Sequence, residues 1–214
     1  MMKTKLLLIF LLFFSFSICN ASSPSLRSGD LIFVSSESSD FEKSIAAVTK
    51  FDDKALNFTH VGIVNVTDTG IFVIEATPQK GVVCTSFSEF KTENKNGVLY
   101  FASLKTQYQQ YTKDAIHRAC SHLGKGYDFA FDFDNDRYYC SELVYDAYAH
   151  AGGDPDFFET PPMTFKNKET GAFLPYWIEY FEKLQLPIPE GKRGISPTGL
   201  SRSEKIGKFG GERK

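Results

Sequence analysis

Cysteine is scarce in this sequence: four in 214 residues, at positions 19, 84, 120 and 140. None stands in a C-x-x-C pair, so neither a disulfide framework nor a structural zinc site of the finger kind is encoded. An excess of one charge is lacking too. Lys and Arg number 24 against 26 Asp and Glu, which excludes a basic nucleic-acid binder, and 42% hydrophobic residues exclude a disordered chain. No internal repeat and no linker divides the sequence, whose length suits one domain with a sizeable core. No metal, nucleotide or other cofactor signature is present, and no cofactor is expected.

Long apolar runs are missing as well. The longest, Leu6 to Phe14 with a polar-interrupted extension to Ile18, falls short of the ~20 residues a membrane-crossing helix needs. Lys3 and Lys5 precede it, and Cys19 and Ala21 supply small residues where a signal peptidase reads them. The pattern predicts a cleaved export signal over residues 1–21, a mature domain over 22–214, a periplasmic or extracellular location, and no stable membrane span after cleavage. The alternatives are a permanent anchor and a lipoprotein acylated through Cys19. The second needs a small residue just before the cysteine, where Ile18 stands. Cleavage leaves three cysteines, an odd count that in an exported protein means an intermolecular bridge or a free thiol.

What is present is an order of strands followed by helices. A turn at Ser28-Gly29-Asp30 leads into a strand at Leu31 to Val34, and apolar spacing predicts a short helix from Phe41 to Phe51. Four runs rich in β-branched and aromatic residues follow, 58–66, 70–77, 81–87 and 97–104, each bounded by turn residues, so an antiparallel meander is expected. From Tyr111 to Leu123 the period becomes helical, with His117 and His122 on the polar flank and Gly124 or Gly126 as the stop. A second helix opens near Cys140 and ends at Gly152-Gly153, with His150 on its surface, and a third covers 175–184. Asp132, Asp134 and Asp136 resemble a calcium-loop start, but Arg137 and Leu143 stand where that loop needs a glycine and a closing acid, so a solvated turn is expected. The stretch from Ile188 onward reads as a wrapping tail with a frayed end.

Cys140 at a helix start would face unsatisfied backbone N–H groups and the positive end of the helix dipole, which favour the thiolate, the reactive form. A small core residue in a helix that begins one turn earlier is the bland alternative. A thiol nucleophile needs a histidine. Of the four histidines, only His60 opens an apolar strand, with Gly62 permitting close backbone approach. Glu75 sits inside an apolar strand that a hairpin at 68–70 pairs with the first, where an ionised carboxylate is costly without a partner. A carboxylate on one imidazole nitrogen fixes the tautomer and leaves the other for the thiol. Glu142 is read as an acid that favours the helix start through the dipole.

The segments "GDLIF", "FTHVGIV", "VIEAT", "LGKGYDFAFDF", "YYCSELVYDAY" and "IPEGKRGISP", in that order, resemble the YiiX/YebB-like branch of the NlpC/P60 superfamily, the circularly permuted papain-like cysteine hydrolases. The likeness covers almost all of the mature chain, and the histidine strand precedes the cysteine helix, the reverse of the usual papain-like order. The resemblance implies an α+β fold, an antiparallel sheet or small barrel packed against helices. Carried over position by position, it implies Cys140 as nucleophile, His60 as general base and then acid, and Glu75 as the residue that orients His60. It also implies Tyr127 beside the thiol as an oxyanion donor, with the backbone N–H of Cys140 as another.

The expected function is that of an exported cysteine hydrolase cleaving an amide, in a peptide or aminoacyl group, through a thioester. Its partner would be a small-molecule, peptide or lipid-linked substrate, cell-wall peptide included, and not nucleic acid. Phe157, Phe158, Phe173, Tyr176 and Trp177 either line a hydrophobic pocket or form ordinary core. The rival expectations are a non-catalytic module binding a cell-wall or lipid fragment, and a thioester-forming acyltransferase or lipid esterase.

Overall fold

Four successive apolar side chains make "LIFVS" a strand covered on both faces. This strand, β1 (Leu31–Ser35), lies inside the sheet with Leu31, Ile32 and Phe33 fully buried. The structure, a computed structural model, describes residues 26–51 and 55–211; the expected export signal, Cys19 included, lies outside them. The other strands are β2 (His60–Thr67), β3 (Gly70–Thr77), β4 (Gly81–Ser86), β5 (Val98–Leu104) and β6 (Ile206–Gly211). They form one sheet in the order β4-β3-β2-β1-β5-β6, and every pairing is antiparallel. The sheet ends at β4 and β6, so of the two expected forms it is the open sheet and not a closed barrel.

Alternation along the strands divides the interior into two cores. Leu31, Phe33, Val61, Ile63, Ile74 and Ala76 join the larger one. Helices α3 (Thr112–Cys120), α4 (Cys140–Gly152) and α5 (Pro175–Leu184) contribute Ala119, Leu143, Val144, Ala147 and Trp177 to that core. Each large side chain so buried contributes about 1.5–3 kcal/mol. The opposite face packs Ile32, Val34, Val64, Val73, Leu99 and Phe101 against Phe90 from α2 (Phe87–Glu93).

Three elements depart from the sequence expectation. Residues 87–93, placed at the end of a strand and in a turn, form α2 because the Ser86 hydroxyl accepts the Glu89 N–H at 3.2 Å and caps it. The tail carries regular structure: Pro197–Ser201 forms a short helix, α6, and β6 pairs with β5, while the expected frayed end, residues 212–214, lies outside the described residues. An edge strand is held through its backbone, so its sequence needs no alternating pattern. The helix expected over 111–123 splits into a 3-10 turn (Thr106–Tyr111) and α3, which stops at Cys120. His122 therefore leaves the helical phase and is buried, 3% exposed. There its Nε2 lies 2.7 Å from Asp146 of α4, whose carboxylate also takes a bidentate pair from Arg118 at 2.8 and 3.0 Å. This clamp fastens α3 to α4. Among the described residues no helix is long and apolar enough to cross a membrane.

Candidate active site

Tyr139 is extended, so α4 starts at Cys140 itself and not a turn earlier. The thiol thus lies among the unsatisfied N–H groups of the first turn. Ile195 brackets that turn: its N–H donates to the Tyr139 hydroxyl at 3.1 Å, and its carbonyl accepts from the Ser141 hydroxyl at 2.8 Å. Glu142 departs from its expected role. Burial, only partly offset by a hydrogen bond from the Tyr139 N–H at 3.2 Å and reinforced by nearby carboxylates, raises its pKa to about 9. At neutral pH it is an uncharged acceptor for Tyr139, not an anion at the dipole.

His60 opens β2, and its ring stacks on Phe90 at 6.2 Å. Its Nε2 lies 2.6 Å from Oε2 of Glu75, a residue 1% exposed in β3. The other Glu75 oxygen accepts from the Thr85 hydroxyl at 3.1 Å, so the carboxylate is held at both ends. Gly62 makes this approach possible, because a Cβ there would lie 2.5 Å from Val73 Cγ1 and 3.4 Å from Glu75 Cβ. Cys140 borders the same cleft as the His60 ring; with Nε2 taken by Glu75, the nitrogen left for the thiol is Nδ1. Burial disfavours the imidazolium, but the interactions with Cys140 and Glu75 outweigh it and raise His60 from 6.5 to about 10.

Three residues far apart in sequence, Cys140, His60 and Glu75, thus come together in one connected set. Tyr127 joins them. Burial first, and then the charge of Cys140, hold its phenol well above the ordinary value of 10, so it is a neutral hydrogen-bond donor beside the thiol. His117 and His150 lie outside this set, as does His122 in its clamp. Of the Asp132–Asp136 turn, Asp132 pairs with Lys192 and Asp136 with Lys125.

Cys140, though only 6% exposed, borders two cavities that differ in the charged and polar side chains on their walls. One, of about 260 Å³, is apolar, walled by Ile45, Val48, Phe131, Met163, Phe165 and Trp177. The other is a polar cleft of about 490 Å³, which holds His60 and Glu75 and is walled by Ser38, Glu42, Thr77, Gln79, Lys80 and Glu93. Tyr127 and Thr59 border both. Sequence reasoning named the side chains that meet in this cleft but not these walls. Of the aromatics weighed as pocket lining, Trp177 borders the apolar cavity, whereas Phe157 and Phe158 are core. The remaining apolar wall, Pro161–Phe165 and Gly194–Gly199, comes from irregular segments and the first turn of α6, whose only signal was a cluster of Pro and Gly.

Residues 25–208 match the family described as permuted papain-like amidase enzymes, the YaeF/YiiX or C92 family. The chain belongs to this family. Its α+β fold fits a permuted papain-like family, and the family's description as an amidase supports a hydrolase as the general class. The uncharacterized protein YiiX of Escherichia coli K12 is 30% identical over 131 residues, 59% of this chain and 59% of that relative. A crystal structure described as metalloprotein yiiX, DUF1105, from Escherichia coli O157:H7 superposes with a TM-score of 0.67 at 25% identity, over 87% of this chain and 97% of that one. The metal in that description belongs to that protein. Among the described residues here, no group of three or more His, Cys, Asp or Glu side chains is placed to hold an ion, and no step below runs through one.

Proposed function

We propose that the chain is an exported cysteine amidase of the wider NlpC/P60 type, acting on an amide whose acyl side is apolar. The observation that carries this reading is the position of Cys140 between an apolar cavity and a polar cleft that holds His60. An acyl chain or apolar side chain fits the first, which has room for roughly eight groups of water size, and the amine half of the substrate fits the second. Export rests on the charged and apolar pattern of residues 1–21, and places the enzyme among cell-wall peptides and lipid-linked amides.

In the mechanism, the Cys140 thiolate, paired with the His60 imidazolium, attacks the carbonyl carbon. The C–S bond forms as the carbonyl electron pair moves onto oxygen, where the Cys140 N–H and the Tyr127 hydroxyl donate to it. The C–N bond then breaks, and the departing nitrogen takes the proton from His60 Nδ1, which leaves a thioester and a free amine. His60, now neutral and oriented by Glu75, removes a proton from water. The hydroxide adds to the thioester carbon, and collapse releases the acid and regenerates thiolate and imidazolium.

The test is hydrolysis of acyl p-nitroanilides of increasing chain length. We expect kcat/KM to rise with acyl length until the cavity fills, and a covalent acyl adduct on Cys140 to be seen by intact mass after rapid quenching. Equal turnover by Cys140→Ala would overturn the proposal. The same cavity favours a second reading, an apolar acyl ester, which a matched p-nitrophenyl ester distinguishes by its ratio to the anilide. Adding hydroxylamine separates hydrolysis from acyl transfer by the share of product it captures.

A further inference from the structure

Beyond the two cavities, which helix α1 (Asp40–Thr49) borders through Ile45 and Glu42, the fold brings two further nucleophilic side chains to one place. Among the described residues the cysteines are Cys84, Cys120 and Cys140, all three of them thiols. Cys84 is an exposed residue of β4, the strand that forms one end of the sheet. Its partner in the register is Ile74, a fully buried member of the larger core, so the Cys84 side chain lies on the sheet face that the helices cover. Val82, two residues before it on the same face, belongs to that core as well.

Cys120 approaches the same edge from the helix side. It is the last residue of α3, which packs through Ala115 and Ala119 into the larger core, and its own half-buried side chain rests against that core. Arg118 turns toward α4 to reach Asp146. A residue two positions further on lies about 200° round the helix, so Cys120 turns away from α4. Because α4 lies over β2 and β3, with α3 beside it over β3, that direction leads to the β4 edge. Past the helix end the backbone closes on β4 directly: the Gly124 N–H donates to the Val82 carbonyl at 2.9 Å, and the Val82 N–H donates to the Lys125 carbonyl at 2.9 Å. Burial, and then the charge of the neighbouring Cys120, raise the Cys84 thiol above its ordinary value, and burial raises Cys120. Cys140 is engaged elsewhere, in the cleft with His60.

We propose that Cys84 and Cys120 are a redox site that closes an intramolecular disulfide and so fastens the edge strand β4 to the end of α3. The oxidant is a second disulfide, that of a small thiol or of an oxidoreductase. One cysteine thiolate attacks it, forming a mixed disulfide and releasing one thiolate. The other cysteine thiolate then attacks the protein sulfur of that mixed disulfide, the protein S–S bond forms, and the second thiolate leaves. Two protein thiols are oxidised, the incoming disulfide is reduced to two thiols, and the two protons pass to them. The odd count of described cysteines then resolves into one bridge and Cys140, whether or not Cys140 is a nucleophile. The bridge stands one residue from Thr85, whose hydroxyl holds Glu75 at 3.1 Å, so it steadies the strand behind the His60 pair.

In the test, the reduced protein is treated with glutathione disulfide at about pH 8.5, where thiolate is available, quenched with N-ethylmaleimide and digested for peptide mapping. Cys140→Ser is run beside the wild type. In both, the Cys84 and Cys120 peptides should be recovered joined to each other, from a chain lighter by two hydrogens. The bridged chain should melt about 5–10 °C above the reduced one, a gain that Cys84→Ser and Cys120→Ser should lack. Separate glutathione adducts on the two cysteines, a bridge to Cys140 or between two chains, or equal melting temperatures with and without the bridge would overturn the inference. Should the half-buried Cys120→Ser not fold, Cys84→Ser at its exposed position and the wild-type mapping decide.

Discussion

Two histidine–carboxylate pairs lie in this chain, and their geometry is nearly the same. His60 and Glu75 are 2.6 Å apart, His122 and Asp146 2.7 Å. Their titration runs in opposite directions. His60 is raised to about 10, whereas burial, together with the cations Lys125 and Arg118, outweighs Asp146 and lowers His122. The difference lies in the third partner. His60 meets a thiol and borders a cleft; His122 shares its carboxylate with a guanidinium and stacks on Tyr138 at 4.3 Å. A carboxylate beside an imidazole is therefore a fastening as readily as a catalytic device, and the group on the remaining face decides which.

The comparison is broken most sharply by removing each histidine in turn. His60→Ala should lower kcat/KM on an acyl anilide by about 10³–10⁴-fold, while His122→Ala should leave the rate per folded molecule within about twofold and lower stability instead. Next in size is Glu75→Gln, with a loss of about 10²-fold. It should also shift the pH profile. Amine departure needs protonated His60, so the wild-type rate falls as pH rises through about 10, and without the carboxylate that limb should move down toward the ordinary 6.5. A limb that stays in place would remove Glu75 from its positioning role.

Smaller is the expected cost of Asp146→Asn, about 1–3 kcal/mol by denaturant unfolding, since it loosens α3 from α4 without touching the cleft. A further effect concerns Glu142, whose folded pKa is raised. Between its ordinary 4.5 and about 9, the folded chain holds a proton that the unfolded chain has lost, so stability declines as pH rises through that window. Glu142→Gln should flatten this decline in melting temperature. Equal slopes in both proteins would show that the carboxyl is not held neutral.

The contrast between the pairs also shows what the amino-acid sequence carried. Glu75 could be read because a carboxylate in the middle of an apolar strand has few places to go, and because strand period and hairpin geometry set its neighbour. His122 was misplaced because its face was taken from a helix that stops at Cys120; two residues past the stop, a 3.6-residue period no longer says which side is inside. The sheet's inner strands were legible from β-branched and aromatic runs bounded by turn residues, whereas β6 and α2 were not. β6 is held through backbone pairing at an edge, and α2 is too short to show a period. The cavity walls were hidden for a related reason: Pro161–Phe165 and Gly194–Gly199 have no repeat that could be projected into space.

The tie between Ile195 and the first turn of α4 has a consequence for the order of events at the ribosome. His60 emerges first and Cys140 follows, but Ile195, which secures the first turn of α4, and the wall of the apolar cavity beside it arrive later than both. A nascent chain that stops short of Ile195 lacks the contacts that hold the first turn of α4, so the cleft around His60 and Cys140 is completed only after that stretch has been made.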